Sequence, residues 1–199
     1  MLLRLTFPIA LLLGLTSCIG LKPKPDNIKT YLLGPSDLAK SDSGALVAQG
    51  YIARPQLPTY LEGYTLKKVS KEREIVTISK ARWAEPVHMG VARAISSYIK
   101  TLSGGIRSDF YPWTHTKDAT FTLQLNFYEL IATDDNRILI SVSWKCNYAE
   151  DKVITGFFEN SELKWSGNAR SMVDGINKAL GLLAAEIVES LKKEILTAK

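Results

Sequence analysis

The chain has 199 residues, of which 46% are hydrophobic and 23% are charged, and its formal net charge is +5. This composition is typical of a globular protein with enough apolar residues for a real core, and the length suits one compact domain. Because the charge is modest and no basic tract occurs, the sequence argues against a nucleic-acid partner.

The N-terminus has the features of a secretory signal. Arg4 precedes an apolar run over residues 5–13, which is too short for a transmembrane helix because spanning takes roughly 20 apolar residues. The next segment resembles the lipobox of bacterial lipoproteins, and its residues are Leu15, Thr16, Ser17 and Cys18. We expect cleavage before Cys18 and acylation there, each buried methylene adding about 0.8 kcal/mol of membrane affinity. The alternative is an ordinary signal peptide in which a cysteine falls near the cleavage site.

The predicted mature chain is a tether followed by one domain. Removing residues 1–17 from 199 leaves 182 residues, and the net charge falls to +4 because Arg4 is the only charge removed. Residues 18–30 combine prolines, a glycine and lysines without apolar periodicity, which predicts a flexible tether. Residues 31–199 are predicted to form a single α/β domain.

The first half of this domain is predicted to consist mainly of strands. Short strands are expected around residues 31–33 and over residues 45–53. Residues 54–64 are rich in proline and form a connection. Residues 65–70 and 75–79 then form a hairpin.

The second half contains the clearest patterns. Apolar residues recur at helical spacing over residues 86–102, with a proline at the start and glycines after the end. Residues 121–131 and 138–148 alternate between apolar and polar side chains and are joined by the turn residues 134–136, which predicts an antiparallel hairpin.

The C-terminal elements complete the predicted architecture. Strands are expected over residues 154–159 and 163–166, followed by a long amphipathic helix over residues 171–196 with Ser171 as its N-cap. The predicted fold class is therefore α/β, a mixed β-sheet with at least two amphipathic helices packed on it, preceded by the signal peptide and tether.

Residues that could carry chemistry do not form a recognisable set. Cys146 falls on the apolar face of its strand and is expected to be a buried packing residue, since free cysteine behaves as a small hydrophobe. The histidines and carboxylates considered for a metal site or for hydrolysis are His88, His115, Glu85, Asp109, Asp118 and Glu129. Their spacing selects neither a metal site nor a catalytic pair, so we predict no enzyme activity, no metal and no cofactor.

Several segments carry a resemblance to a known family. Residues 49–61, Gln-Gly-Tyr-Ile-Ala-Arg-Pro-Gln-Leu-Pro-Thr-Tyr-Leu, and residues 82–86, Arg-Trp-Ala-Glu-Pro, resemble segments of the ABC-type transport auxiliary lipoproteins, the paraquat-inducible protein C-like family. Residues 31–33, the strand end at residues 127–129 and the closing helix add to the similarity, which covers nearly all of the mature chain.

The resemblance implies a non-enzymatic accessory of a lipid transport machine. Members of the family accompany a permease, an ATPase and a protein with MCE domains, and are thought to dock the periplasmic part of that machine at the outer membrane. Ile19 replaces the aspartate that retains lipoproteins in the inner membrane, so we expect a lipid-anchored protein of the outer membrane that faces the periplasm. The implied partners are an MCE-domain protein and the membrane, with phospholipid as a further candidate.

Two aromatic segments are candidate contact surfaces for the partner. They are the connection with Tyr60, Leu61 and Tyr64, and the later group Phe110, Tyr111 and Trp113. Aromatic side chains beside polar residues suit interfaces, but the same residues would also serve to close the ends of the core. Two alternative functions remain open from the sequence: a cell-envelope hydrolase, and a lipid-binding periplasmic carrier with a groove between helix and sheet.

Overall fold

The computed structural model describes residues 27–35, 45–113, 119–148 and 152–197. The predicted signal peptide, the lipobox with Cys18 and most of the predicted tether lie outside the described residues. His115 and Asp118 lie outside them as well. The described elements, in chain order, are β1 (Lys29–Tyr31), β2 (Ala48–Ile52), a 3-10 turn (Thr59–Leu61), β3 (Thr65–Val69), β4 (Ile75–Trp83), α1 (Val87–Ser103), β5 (Ile106–Phe110), β6 (Phe121–Thr133), β7 (Ile138–Tyr148), β8 (Lys152–Asn160) and α2 (Ala169–Thr197).

The strands of the described residues form one mixed sheet of eight strands that forks at β6. On one edge of β6 lies β7, antiparallel, and β8 extends the sheet beyond it. Two strands share the other edge of β6. Strand β2 pairs in parallel with the first residues of β6, and β3 pairs in parallel with the last residues of β6. Beyond β2 lies β5, and beyond β3 lie β4 and β1. At 13 residues, β6 is long enough to serve two strands of 5 residues each.

The alternation of apolar residues explains the central hairpin of β6 and β7. Leu125 lies opposite Trp144 on the apolar face, and the polar residues between such pairs face the other way. A β-bulge inserts Tyr128 as an unpaired residue, which changes the parity of the strand. Leu130 therefore returns to the apolar face, opposite Ile140, and the core stays continuous.

Both helices pack on the apolar face of the sheet. Ile95 and Ile99 of α1 and Leu180 and Leu183 of α2 are completely buried, each contributing about 1.5–3 kcal/mol by leaving water. The Trp144 indole N–H also donates a hydrogen bond to a carboxylate on α2, with a distance of 3.2 Å. The layer between helices and sheet is thus filled by interlocking side chains.

Two glycines let aromatic rings lie directly on the sheet. A Cβ at Gly50 would overlap the Phe121 ring, and one at Gly156 would overlap the indole of Trp144. Because a buried ring cannot move aside without disturbing its neighbours, larger residues at these two positions would strain the core.

The start of the domain is held by the helical layer. The Arg93 guanidinium of α1 donates to the Leu33 carbonyl at 2.7 Å, and the Gly34 N–H donates to the Asn177 side-chain oxygen of α2 at 2.8 Å. Hydrogen bonds to charged groups stabilise by about 1.5–3 kcal/mol. The segment that follows β1 is therefore fixed to both helices.

The predicted α/β class is confirmed, and so are the long elements, namely the two hairpins and the two helices. Three differences concern short segments. The first strand covers Lys29–Tyr31, so it begins inside the predicted tether and ends before Leu32. The sequence prediction missed β5. The strand predicted at residues 163–166 is wrong: only one bridge forms there, between Arg137 and Lys164.

The predicted N-cap of the last helix is also wrong. The helix begins at Ala169, and the Asn168 side-chain oxygen accepts the Ser171 N–H at 3.0 Å. Ser171 lies inside the first turn, where its hydroxyl donates to the Asn168 carbonyl at 2.9 Å and accepts from the Ser166 N–H at 3.0 Å. Asn168 therefore has the capping role that the sequence pattern assigned to Ser171.

Candidate partner-binding surface

The two segments that contain the predicted contact residues start side by side, after β2 and β5. Because β2 and β5 are parallel neighbours, with Ile52 opposite Phe110, the segments that follow them leave from the same edge. The Tyr111 N–H donates to the Ile52 carbonyl at 3.0 Å, which fixes the second segment against the start of the first.

A cluster of polar and aromatic side chains joins the two segments. The Arg54 guanidinium lies 5.7 Å from the centre of the Tyr111 ring, within cation–π range. The Tyr111 ring also lies near the imidazole of His88 at the start of α1, with 5.7 Å between ring centres. Burial and the nearby Arg54 charge lower the pKa of His88, while Glu62 acts in the opposite direction. The imidazole is therefore neutral at pH 7.

This cluster borders a small polar cleft of about 210 Å³ between the connection and α1. Its lining includes Arg54, Gln56, Glu62 and His88. Charges of both signs and a neutral imidazole can hydrogen-bond to the polar groups of a peptide or of a partner surface. The cleft also lies beside both aromatic segments, which makes it a natural centre for a contact surface.

The six predicted contact residues differ greatly in exposure. Trp113 is 66% exposed and Tyr64 is 53% exposed, whereas Leu61 is 7% exposed and belongs to the core. The remaining three, Tyr60, Phe110 and Tyr111, are half-buried. A partner can therefore reach mainly Trp113, two residues beyond Tyr111 of the cluster, and Tyr64, two residues beyond Glu62 of the cleft. The role of these residues as contacts stays a prediction.

Tyr60 is tied into the fold by its surroundings. Burial, together with the negative charge of Glu129, raises the pKa of the Tyr60 phenol. Its carbonyl accepts a hydrogen bond from the Lys67 ammonium at 2.7 Å. These contacts fix the 3-10 turn against β3 and β6, which favours a structural role for this residue.

The Arg-Trp-Ala-Glu-Pro segment has a structural explanation. Trp83 is 6% exposed in the core, and Pro86 immediately precedes α1, where its missing N–H costs no helical hydrogen bond. Between them, the Glu85 carboxylate accepts from the Arg93 side chain at 2.6 Å, the same guanidinium that holds Leu33. The motif thus joins β4, α1 and the first strand.

Of the described carboxylates considered for hydrolysis, two accept hydrogen bonds from neighbouring side chains and one is exposed. Glu85 is paired with Arg93, and one Asp109 oxygen accepts from the Gln49 amide at 3.4 Å. Glu129 lies exposed on β6. In the part of the chain that the structure describes, no group of three or more His, Cys, Asp or Glu residues is arranged to hold a metal ion. Cys146 is buried and free, and burial raises the pKa of its thiol to about 12.

Sequence reasoning missed an open groove of about 510 Å³ on the face of the sheet opposite the helices. Its walls are the segment that follows β2 and the outward side chains of β6, β7 and β8. No local pattern marks it, because it depends on the register between four separate segments.

Neither helix of the described residues has the length and hydropathy together that would be needed to cross a membrane.

The described residues form a small α/β domain, a mixed sheet with two helices packed on one face. The sequence matches, over residues 31–188, the family described as ABC-type transport auxiliary lipoprotein component. The chain belongs to this family, as its resemblance predicted, and the family description indicates attachment to a membrane of the cell envelope.

Solved structures share this fold. A crystal structure of an uncharacterized protein matches with a TM-score of 0.67 and 18% identity, covering 82% of this chain and 99% of the other. The protein XCC0632 from Xanthomonas campestris, assigned to the family DUF330, matches with a TM-score of 0.54 and 12% identity, covering 81% and 90% of the two chains. At these identities the similarity concerns the fold alone. No curated protein matches the sequence significantly.

Proposed function

We propose that this protein is a non-enzymatic, membrane-anchored accessory of an MCE-associated ABC lipid transporter, and that it docks the periplasmic component of that machine at the outer membrane. The observation that carries the proposal is the family match over residues 31–188, a family of auxiliary lipoproteins of ABC-type transport. The lipobox before Cys18 supplies the anchor, and Ile19 favours the outer membrane.

Anchoring explains how a modest surface can be sufficient for docking. Two or three acyl chains on one sulfur hold a protein on a membrane for practical purposes. A tethered domain stays at high effective concentration near its partner, so a weak contact gains avidity without a large interface. The surface around Arg54, His88 and Tyr111, with exposed Trp113 and Tyr64 beside it, is the candidate contact.

Site-specific photo-crosslinking in intact cells tests the proposal. A photoreactive amino acid replaces Trp113 or Tyr64 in the full-length chain, and captured proteins are identified by mass spectrometry. We expect an MCE-domain protein or its permease to be captured at both positions. The matched control carries the same amino acid at Lys178, which is exposed on α2, and should capture neither.

Two results would contradict parts of the proposal. Recovery of peptidoglycan enzymes or assembly factors, without an MCE-domain protein or permease, would defeat the transport role. If the transporter is captured from position 178 but not from 64 or 113, the docking role stands, but the contact surface lies on the helical face.

A further inference from the structure

The groove on the outer face has a regular polar floor that follows from strand register. Gln124, Lys145 and Thr155 lie side by side across β6, β7 and β8. The next row, two residues along each strand, contains Asn126 and Ser143. Since side chains two residues apart share a face, these amides, hydroxyls and the ammonium point into one space.

The segment after β2 forms the side of the groove next to β6. Its backbone continues along β6, with the Gln56 N–H donating to the Leu125 carbonyl at 2.9 Å. This pairing places Arg54 and Gln56 at the edge of the groove, opposite Lys145. Arg54 therefore borders both the groove and the polar cleft.

The charged side chains that line the groove are all cationic. Arg54 and Lys145 are cationic, and the lining contains no carboxylate. Among the residues that the structure describes, neither cation forms an ion pair. Glu129 and Glu159 flank Ser141 on the same face, but Ser141 is four residues from Lys145, about 13 Å along the strand. The lining therefore offers two cations and several hydrogen-bond donors to an anion.

An apolar border runs beside these polar rows. The bulge turns Tyr128 toward the outer face, where its ring lies 6.2 Å from that of Phe157 and its hydroxyl lies 3.4 Å from the Ser143 hydroxyl. Tyr128 is 52% exposed and Phe157 is 57% exposed. Exposed aromatic side chains beside cationic and amide groups suit a ligand that has both a charged and an apolar part.

We propose that this groove binds the phosphate headgroup of an anionic phospholipid, with Arg54 and Lys145 contacting the phosphate and Tyr128 and Phe157 contacting the adjoining glycerol and acyl carbons. The inference rests on the proposed function in one respect: an accessory of lipid transport that sits on a membrane meets this ligand. It adds a direct lipid contact on the face of the domain opposite the helices.

Native mass spectrometry of the full-length protein in non-ionic detergent tests the site. The protein is titrated with phosphatidylglycerol, with diacylglycerol that lacks the phosphate, and with inorganic phosphate, and the bound masses are counted. We expect retention of phosphatidylglycerol over diacylglycerol. Removing both charges with Arg54→Gln and Lys145→Gln should weaken retention about tenfold or more.

Three further variants sharpen the result. Gln124→Glu keeps the shape and adds a carboxylate beside Lys145, so it should also weaken retention and serves where the double variant folds poorly by circular dichroism. Lys145→Arg preserves the charge and should retain binding. The matched control Lys178→Gln removes an exposed lysine from the helical side and should leave binding unchanged.

Each remaining outcome overturns the inference. If the double variant retains as much phosphatidylglycerol as the original protein, Arg54 and Lys145 do not contribute to binding. Equal retention of diacylglycerol and phosphatidylglycerol shows apolar binding only. Inorganic phosphate that binds as well as the lipid makes the groove a free-anion site. None of these results depends on capture of a transporter, so the docking role stands or fails separately.

Discussion

Cys146 illustrates how far a sequence pattern determines a single residue. Alternation along β7 predicted that this thiol faces the core, and the structure leaves it 0% exposed. Desolvation then raises the pKa of the thiol to about 12, because the thiolate is poorly stabilised among apolar neighbours. The thiol is therefore held neutral and inaccessible, as expected of a packing residue.

We expect the Cys146 thiol of the folded protein to resist alkylation up to about pH 9. Folding favours the neutral thiol. The contribution of this thiol to the free energy of unfolding is therefore complete below its ordinary pKa of 9.0, and it declines as the pH rises from 9.0 toward 12. Labelling of the Cys18→Ala variant, in which Cys146 is the remaining cysteine of the sequence, should proceed at least about a hundredfold slower when folded than in denaturant. Rapid labelling of the folded protein at pH 8 would contradict the burial.

Other residues could not be assigned from the sequence alone. Leu61 and Tyr64 stand in the same proline-rich connection, yet the first is 7% exposed and the second 53% exposed. Which of them reaches the surface depends on how the 3-10 turn packs against distant strands. The arrangement of Arg54, Tyr111 and His88 depends likewise on the parallel pairing of β2 with β5, which no local pattern indicates.

At the scale of elements, length and periodicity decide what can be predicted. The helices and the β6–β7 hairpin show many repeats of one period, so their types follow from the sequence. By contrast, β5 has only 5 residues with polar ones at its centre, and it forms because β2 offers an edge. Residues 163–166 show the opposite error: Leu163 and Trp165 are buried as alternation predicts, but they cover the start of β7 without forming a strand.

The start of α2 gives a test at this scale. Asn168→Ala removes the acceptor of the Ser171 N–H and leaves an unpaired donor in the first turn, so the free energy of unfolding should fall by about 1 kcal/mol. Urea denaturation monitored by circular dichroism measures this change in the free energy of unfolding.

Arg170 provides the matched control for this prediction. Its guanidinium is 3.9 Å from the Asp174 carboxylate, and both side chains are highly exposed, at 85% and 68%. Such surface pairs contribute little, so Arg170→Ala should change the free energy of unfolding by less than about 0.5 kcal/mol. Equal losses for the two variants would mean that Asn168 is not the cap.

At the scale of the whole molecule, the polar cleft and the cationic groove are neighbouring sites with different side chains. The forked edge of β6 brings β2 and the segment after it against the central strands, which creates both the polar cleft and the cationic groove. Arg54 borders both. Binding of a partner at the cleft and of a lipid headgroup in the groove would therefore involve one shared side chain. This connection arises from long-range pairing, which explains why reading the sequence identified the family but not the groove.

The predicted outer-membrane position of the protein can be tested at its sorting residue. Sorting of a lipoprotein depends on the residue after the acylated cysteine, and Ile19 is the residue that follows Cys18, the predicted acylation site. An address of this kind is read by the sorting machinery and leaves the fold untouched. Ile19→Asp should therefore move most of the protein from the outer to the inner membrane without changing its circular dichroism, and sucrose-gradient fractionation measures the shift.

The Cys18→Ala variant separates anchoring from sorting. Without acyl chains the domain loses the membrane affinity that they supply, so it should be depleted from outer-membrane fractions with its fold unchanged. If docking at the outer membrane is the role of the protein, both variants should fail to restore lipid transport, although only one of them has lost its anchor. Restoration of transport by the inner-membrane variant would mean that the domain needs a membrane nearby but not the outer one, and would contradict the docking role while leaving the lipid anchor intact.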